Sequence, residues 1–294
     1  MANWQVLDLT NHVGKVKTMR GGLVVQKQRI ALEPLAQVIV GVKTSLGAGV
    51  LNLCAKYQVM VQHVDWRGVP YSITFPFGNN TRVGARHLAQ HSLALPKSKS
   101  IWKQIVRGKI LGQATNFSQR GLKDEALFLK NLSSKILSGD TSNIEGQAAA
   151  YYWPHFMWKD FKRDIDGEDF HNGALNYGYT ILRGYTIKAI CSAGLWPTLG
   201  LHHKNRANVF ALADDLMEPF RPVIDSVVVE LDETLGMEDT SIRKELVNVL
   251  SKTFNNETGA TGITELNNFV QNFAQHIEGN KKLKVPVWQG KENG

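Results

Sequence analysis

Near residues 78–81 the hydrophobic pattern of this 294-residue chain changes period, from short alternating runs to a helical repeat. Before that point the apolar residues fall in WQVLDL, KVKTM, GLVVQK, QVIVGV, YQVMVQHV and PYSITF, all rich in β-branched or aromatic side chains. Turn residues separate them at Gly21-Gly22, Lys43-Thr44 and Arg67-Gly68-Val69-Pro70, the pattern of strands half-buried in a sheet. LGAGVLNLCAKYQ reads as one inserted helix. After Phe77-Gly78-Asn79-Asn80-Thr81, Asn80 or Thr81 is placed to cap a helix through VGARHLAQHSLAL that Pro96 ends. Ile101, Ile105, Val106, Ile110 and Leu111 then line one helical face. Further helices are expected in LKDEALFLKNLSSKIL, NIEGQAAAYYW, NYGYTILRGYTIKAICSAG, ANVFALADDLM, FRPVIDSVVVELDETL, IRKELVNVLSKTF and ITELNNFVQNFAQHI. Almost no strand signal survives past residue 80, no internal repeat occurs, and KKLKVPVWQGKENG reads as a loose basic tail. The expected fold class is α+β: a small N-terminal β-sandwich-like domain over 1–79, then a large all-helical domain over 80–294.

Composition bears on partners more than on fold. The net charge is +8, but it is unevenly divided. Residues 1–139 hold 19 Lys and Arg against 5 Asp and Glu, and residues 140–294 hold 15 against 21. A basic front half joined to an acidic back half suits a polyanion-binding surface that feeds a carboxylate-rich site. A well-solvated basic half would give the same count. The basic residues near the domain boundary are Arg82, Arg86, Lys97, Lys99, Lys103, Arg107, Lys109, Arg120 and Lys123. Of these Arg82, Arg86, Lys103, Arg107 and Lys109 are the candidate nucleic-acid contacts, with Lys103 and Arg107 four apart so that they project together. Cys54 and Cys191 lie in no zinc spacing or disulfide framework, which fits a reducing, cytoplasmic location. The start MANWQVLDLTNHVGKVK lacks a signal peptide's basic and apolar regions, and no run approaches the ~20 apolar residues of a membrane span, so no membrane partner is expected.

The acidic half contains A-D-D-L-M-E-P-F-R-P at 213–222. Asp215 and Glu218 are three apart, so a helix ending at Pro219 puts both on one face. His202 and His203 follow the loop-like WPTLGL, and the fifteen residues from 203 to 218 span about 60° of an α-helix, so one helix could present both. Glu145 stands at another helix start, S-N-I-E-G-Q-A-A-A-Y-Y-W. Carboxylates with one imidazole make a hard site suited to Mg²⁺ or Mn²⁺, which can activate an oxygen and stabilise charge on a phosphoryl group. Each piece has a structural alternative. Ser142-x-x-Glu145 has the form of a capping box, and the Asp214, Asp215 and Glu218 cluster could be a solvated face. FALADDLMEPF is otherwise apolar, however, and carboxylates buried there need a cation or hydrogen bonds. The loop KRDIDGEDFHNG fails as a calcium loop: counted from Asp164, Gly167 is fourth rather than sixth and no glutamate is twelfth. No phosphate-binding glycine loop, dinucleotide fingerprint or nucleophile elbow occurs. A di-iron site needs two Glu-x-x-His pairs, and only Glu168 and His171 have that spacing.

These motifs resemble those of the CRISPR-associated adaptation integrases, the first-numbered Cas family, in their type II form. The resemblance covers nearly the whole chain and is strongest in S-N-I-E-G-Q-A-A, H-N-G-A-L-N-Y-G-Y-T-I-L, L-G-L-H-H and A-D-D-L-M-E-P-F-R-P. It implies catalytic metal ligands at Glu145, His203 and Glu218, with Asp215 as an auxiliary acidic ligand and His202 as a competitor for the histidine role. Asn172 and Tyr177-Gly178-Tyr179 match scaffold positions beside the site. It implies Mg²⁺ or Mn²⁺ as cofactor and a homodimer, with dimerisation and partner contact in the N-terminal domain. It further implies a heterohexamer with the small second Cas protein, and the type II effector nuclease as a further candidate partner. The substrates would be double-stranded DNA with 3′ overhangs and CRISPR repeat DNA. Each 3′-hydroxyl would attack a phosphodiester at the repeat border in spacer acquisition. The same site using water would be a metal-dependent endonuclease acting on branched or single-stranded DNA, and an inactive site would leave a DNA-binding scaffold.

Overall fold

A computed structural model describes residues 5–66, 70–75, 81–203 and 205–290. The chain divides into two compact units, Met1–Thr81 and Arg82–Gly294. The expected turn at Arg67–Val69 and the residues Phe77–Asn80 at the change of period lie outside the described residues.

The first unit is built from β1 (Gln5–Leu9), β2 (Gly14–Met19), β3 (Gly22–Val25), β4 (Gln28–Ala31), β5 (Leu35–Val40), β6 (Thr44–Leu46), α1 (Ala48–Lys56), β7 (Met60–Val64) and β8 (Pro70–Thr74). They form two four-stranded sheets, ordered β1-β5-β7-β8 and β4-β3-β2-β6. β1, β5 and β7 run parallel, with α1 as the crossover into β7, and β2 is parallel to β6. Leu9, Val16, Leu23, Leu35, Val38 and Val61 meet Val50 and Cys54 of α1 in one core. The sandwich-like expectation and the inserted helix therefore both describe this unit. GLVVQK is only partly strand, because Gln26 and Lys27 take positive φ (48° and 71°) and turn β3 into β4. That is the backbone of a two-residue hairpin turn, reached here without the usual Asn-Gly signal. Gly41 has a plainer constraint, since a Cβ there would lie 1.9 Å from the Thr10 carbonyl oxygen.

The second unit contains α2 (Val83–His91), α3 (Leu95–Gln119), α4 (Lys123–Ser134), α5 (Ile144–Phe156), α6 (Phe170–Ser192), α7 (Ala211–Leu216), α8 (Arg221–Val228), α9 (Thr240–Asn248) and α10 (Gly262–Ile277). A short ribbon, β9 (Thr253–Asn255) with antiparallel β10 (Ala260–Thr261), interrupts the expected all-helical run. α3 is the axis of the unit, about 37 Å long at 1.5 Å per residue, and buries Ile101, Trp102, Ile105, Val106, Ala114 and Phe117. Pro96 lies in the first turn of α3, where its missing N–H costs nothing, instead of ending α2. α2 stops at His91 and has no side-chain cap.

The described part of the basic tail, up to Gly290, is packed down. Leu283 and Trp288 are buried, and the Trp288 indole N–H donates to Asn116 Oδ1 at 2.9 Å. Asn116 Nδ2 in turn donates to Tyr152 Oη and the Pro222 carbonyl, both at 2.8 Å. Space for this strap comes from α3, where a Cβ on Gly108 would lie 2.9 Å from Val285 Cγ1 and one on Gly112 3.3 Å from Trp288 Cβ. Lysines at 281, 282 and 284 mask an alternating apolar set, Leu283, Val285, Val287 and the indole at 288, in the sequence.

Candidate active site

Glu145 is in the first turn of α5, but the helix is capped by other residues. Asn143, in the left-handed conformation, accepts from the Gly146 N–H at 3.1 Å, while the Asp140 carboxylate accepts from the Ile144 and Glu145 N–H groups at 2.8 and 2.9 Å. The Ser142–Glu145 capping box is thus replaced by an Asp140–Asn143 cap, which leaves the Glu145 side chain available. It turns to α3, where Lys109 Nζ donates to Glu145 Oε1 at 2.7 Å.

Glu218 opens a short 3₁₀ turn, Glu218–Phe220, between α7 and α8. Its Oε2 is 2.6 Å from the same Lys109 Nζ, and its Oε1 accepts from Arg221 Nε at 2.8 Å. Burial pushes this carboxyl up, but Arg221 and then Lys109 outweigh it and hold the group below the ordinary glutamate value. Burial likewise lowers Lys109, and Glu218 followed by Glu145 reverses the sign, so it stays charged. Lys109, expected among the nucleic-acid contacts, faces the two carboxylates instead. It lies four residues after Ile105 and three after Val106, inside the apolar stripe of α3, and that position was the available signal for an inward role.

His203 is not on a helix with Glu218. It follows the loop from Leu195, before α7 begins at Ala211, because the backbone there is drawn around a buried carboxylate. Asp215, with no solvent exposure, accepts from the N–H groups of Leu201 (2.5 Å), His202 (3.1 Å) and His203 (3.3 Å). Its Oδ1 also meets His203 Nδ1 at 2.7 Å. The carboxylate only accepts, so the proton of a neutral His203 belongs on Nδ1 and the lone pair on Nε2. The hydrogen bond to Asp215 raises the His203 pKa despite partial burial, and Glu218 adds to the shift, which places the two side chains in one electrostatic site. His202 instead stacks flat on Trp102, ring centroids 4.3 Å apart and planes 2° from parallel. Asp214 points to a different partner, a bidentate pair with Arg183.

Glu145 and Glu218 are thus brought together through Lys109, and His203, held by Asp215, feels the charge of Glu218. Among the described residues no three His, Cys, Asp or Glu side chains stand in ready-made ligand geometry. Lys109 holds an oxygen of each glutamate. By donor chemistry two carboxylates and an imidazole with a free nitrogen suit a divalent cation, and the two carboxylates already attract one positive charge, that of Lys109.

The expected DNA-facing residues separate. Arg82 and Arg86 both bind Glu278, and Arg86, buried, also donates to the Ala193 carbonyl. Lys97 satisfies the carbonyls of His276 and Ile277 at the end of α10, and Arg120 that of Phe156. Lys99 and Arg107 are exposed and Lys103 partly so, at four-residue spacing along α3. In 162–173, Asp169 caps α6 and Asn172 ties the loop down through the Lys162 carbonyl and the Asp164 N–H. His171 faces Glu233 at 3.6 Å, far from a di-iron pairing.

The family model described as CRISPR associated protein Cas1 matches residues 7–258. A CRISPR-associated endonuclease Cas1 from Neisseria meningitidis is 33% identical over 78% of this chain and 76% of that protein. One from Saccharolobus solfataricus is 27% identical over the same shares. Among solved structures, a casposase bound to integration product superposes with TM-score 0.77 at 22% identity, covering 96% of this chain and 93% of that one. A Cas1 protein from Thermotoga maritima gives 0.77 at 17% identity, covering 98% and 100%. These structural likenesses carry the fold; the family match carries membership. The chain belongs to the Cas1 family of CRISPR-associated proteins.

Proposed function

We propose that this chain is the integrase subunit of CRISPR adaptation, in the type II form, joining the 3′-hydroxyl ends of captured DNA to a repeat. The observation that carries the reading is the meeting of Glu145 and Glu218 on one cation, Lys109, together with a His203 oriented by Asp215. Glu145, Glu218 and His203 Nε2 would hold Mg²⁺ or Mn²⁺. When bound, such an ion supplies positive charge to a phosphate undergoing substitution. Asp215 is assigned to orientation, since its oxygens already serve three backbone N–H groups and the imidazole. Arg221 holds the second oxygen of Glu218 and keeps that carboxylate ionised. In strand joining one phosphodiester forms as another breaks, and the hydroxyl proton ends on the leaving 3′-oxygen. The protein therefore needs no activated serine or cysteine, in keeping with buried Cys54 and half-buried Cys191, whose thiols burial pushes up to about 11.

Double-stranded DNA with 3′ overhangs and repeat DNA are the assigned substrates, held in part by the Lys99, Lys103 and Arg107 ridge. The casposase likeness supports integration, and a likeness to a Cas6-RT-Cas1–Cas2 complex (TM-score 0.77, 20% identity, 99% of this chain and 37% of that one) supports work with the small second Cas protein. Exposed Val13, Val42 and Tyr71 give the first unit apolar surface for a homodimer contact, within a heterohexamer and with the type II effector nuclease as a further partner. A cytoplasmic location follows from these substrates; no described helix is long and apolar enough to cross a membrane. The relatives' name, endonuclease, favours a second reading in which water replaces the 3′-hydroxyl at the same site. Strand-joining assays on DNA with free or blocked 3′ ends distinguish the two.

A further inference from the structure

Lys109 lies on the buried face of α3, where a charged side chain is costly unless it is paired. Its side chain is 14% exposed, and its ammonium contacts Glu145 Oε1 at 2.7 Å and Glu218 Oε2 at 2.6 Å at once. Its backbone is closely covered, since a Cβ on Gly108 immediately before it would lie 2.9 Å from Val285 Cγ1 and 3.0 Å from the Pro286 carbonyl oxygen. The four-carbon side chain is the part that can move. One unit of positive charge therefore links the two carboxylates assigned above to a divalent cation, using the oxygens that such a cation would use. A divalent cation at those oxygens would meet the Lys109 charge at close range, and like charges a few ångströms apart in a partly buried site repel strongly. Arg221 is no substitute, since it occupies the other oxygen of Glu218.

We propose that Lys109 is an exchangeable internal counter-cation of the metal site. It neutralises Glu145 and Glu218 before the metal enters and is displaced from them when the metal binds. The carboxylates stay ionised and in place without metal, and binding is weaker than the bare donor set would allow. Lys109 is in this sense a positioning residue. The proposal rests on the assignment of Glu145 and Glu218 as ligands, and the test separates the two claims.

The experiment is calorimetric titration of Mn²⁺ into metal-free full-length protein, with thermal unfolding in saturating Mn²⁺ and without it. The proteins are wild type, Lys109→Met, Lys109→Gln, Glu145→Gln and Glu218→Gln. Both Lys109 variants are expected to bind Mn²⁺ at least tenfold more tightly than wild type and to gain more in Tm from it. Lys109→Gln keeps a hydrogen-bond donor and serves if Lys109→Met does not fold. Wild-type or weaker affinity in the folded Lys109 variants overturns the proposal while leaving the ligands standing. Unchanged affinity in Glu145→Gln and Glu218→Gln overturns the ligand assignment, and the proposal with it.

Discussion

Replacing Asp215 with asparagine should release the loop that carries His203. The carboxylate accepts four hydrogen bonds in a solvent-free position: Leu201 and His202 N–H on Oδ2, His203 N–H and Nδ1 on Oδ1. An amide in the same place offers one oxygen and one NH₂. With its NH₂ towards Leu201 and His202, two N–H donors face another donor. With its NH₂ towards His203 that backbone N–H does, and the imidazole must also move its proton off Nδ1, so two of the four bonds to a charged acceptor go either way. Hydrogen bonds to a charged group contribute about 1.5–3 kcal/mol each, so two amount to about 3 kcal/mol at the low end. At 1.4 kcal/mol per tenfold, local opening should become about a hundredfold more frequent. Hydrogen exchange at the amides of Leu201, His202 and His203 reads this directly, with α3 amides as the internal control. The His203 pKa should also fall, because the Asp215 hydrogen bond is the largest cause of its rise. Unchanged protection at those amides, or an unchanged imidazole titration, would refute the assignment of Asp215 as the group that builds the loop.

Trp288→Ala should show that the C-terminal strap is structural: losing a fully buried indole and its Asn116 bond costs about 3–5 kcal/mol. In a unit of this size that is a Tm drop on the order of 10 °C by calorimetry, and a shift within 2 °C or so would contradict it. Lys103→Glu with Arg107→Glu should weaken DNA binding and flatten the slope of log affinity against log salt by about 2; an unchanged slope places the DNA elsewhere. Burial pushes Asp225 up to about 6, from an ordinary 3.8. The folded state then binds more protons than the unfolded chain between those values, so stability falls as pH rises from about 4 to 6, by up to about 3 kcal/mol. Urea unfolding of wild type and Asp225→Asn across this window should show that slope only in wild type. Equal slopes would count against it.

The periods of the sequence were enough to separate a strand-rich front from a helical back, because burial on one face leaves an alternation of two in a strand and a repeat of 3.6 in a helix. What they missed was short or locally overridden. β4 and β6 have four and three residues, too few to show a period. The β9–β10 ribbon is shorter still in its second strand. The helix expected through 207–217 shrinks to Ala211–Leu216, since the Asn205 and Asn208 side chains accept from the Ala207 and Phe210 N–H groups and turn the chain before it. Glu145, Glu218, His203 and Asp215 were legible as residue types on separate motifs. Their division of labour was not: Glu145 is freed from capping by Asp140 and Asn143 nearby, but it faces a cation because of Lys109, 36 residues away in sequence. The basic cluster misled for a related reason, as charge counts do not reveal that Arg86, Lys97 and Arg120 close internal carbonyls.

The central claim is that this site joins DNA ends. The most direct measurement is strand transfer of a short duplex into supercoiled repeat DNA, in Mg²⁺ or Mn²⁺, with free and with blocked 3′ ends. With the small second Cas protein present, joined product is expected from free 3′-hydroxyl ends and none from blocked ends. Glu145→Ala and His203→Ala should abolish the product while binding DNA nearly as wild type does. Joining from blocked ends, or full joining by either variant, would contradict the account.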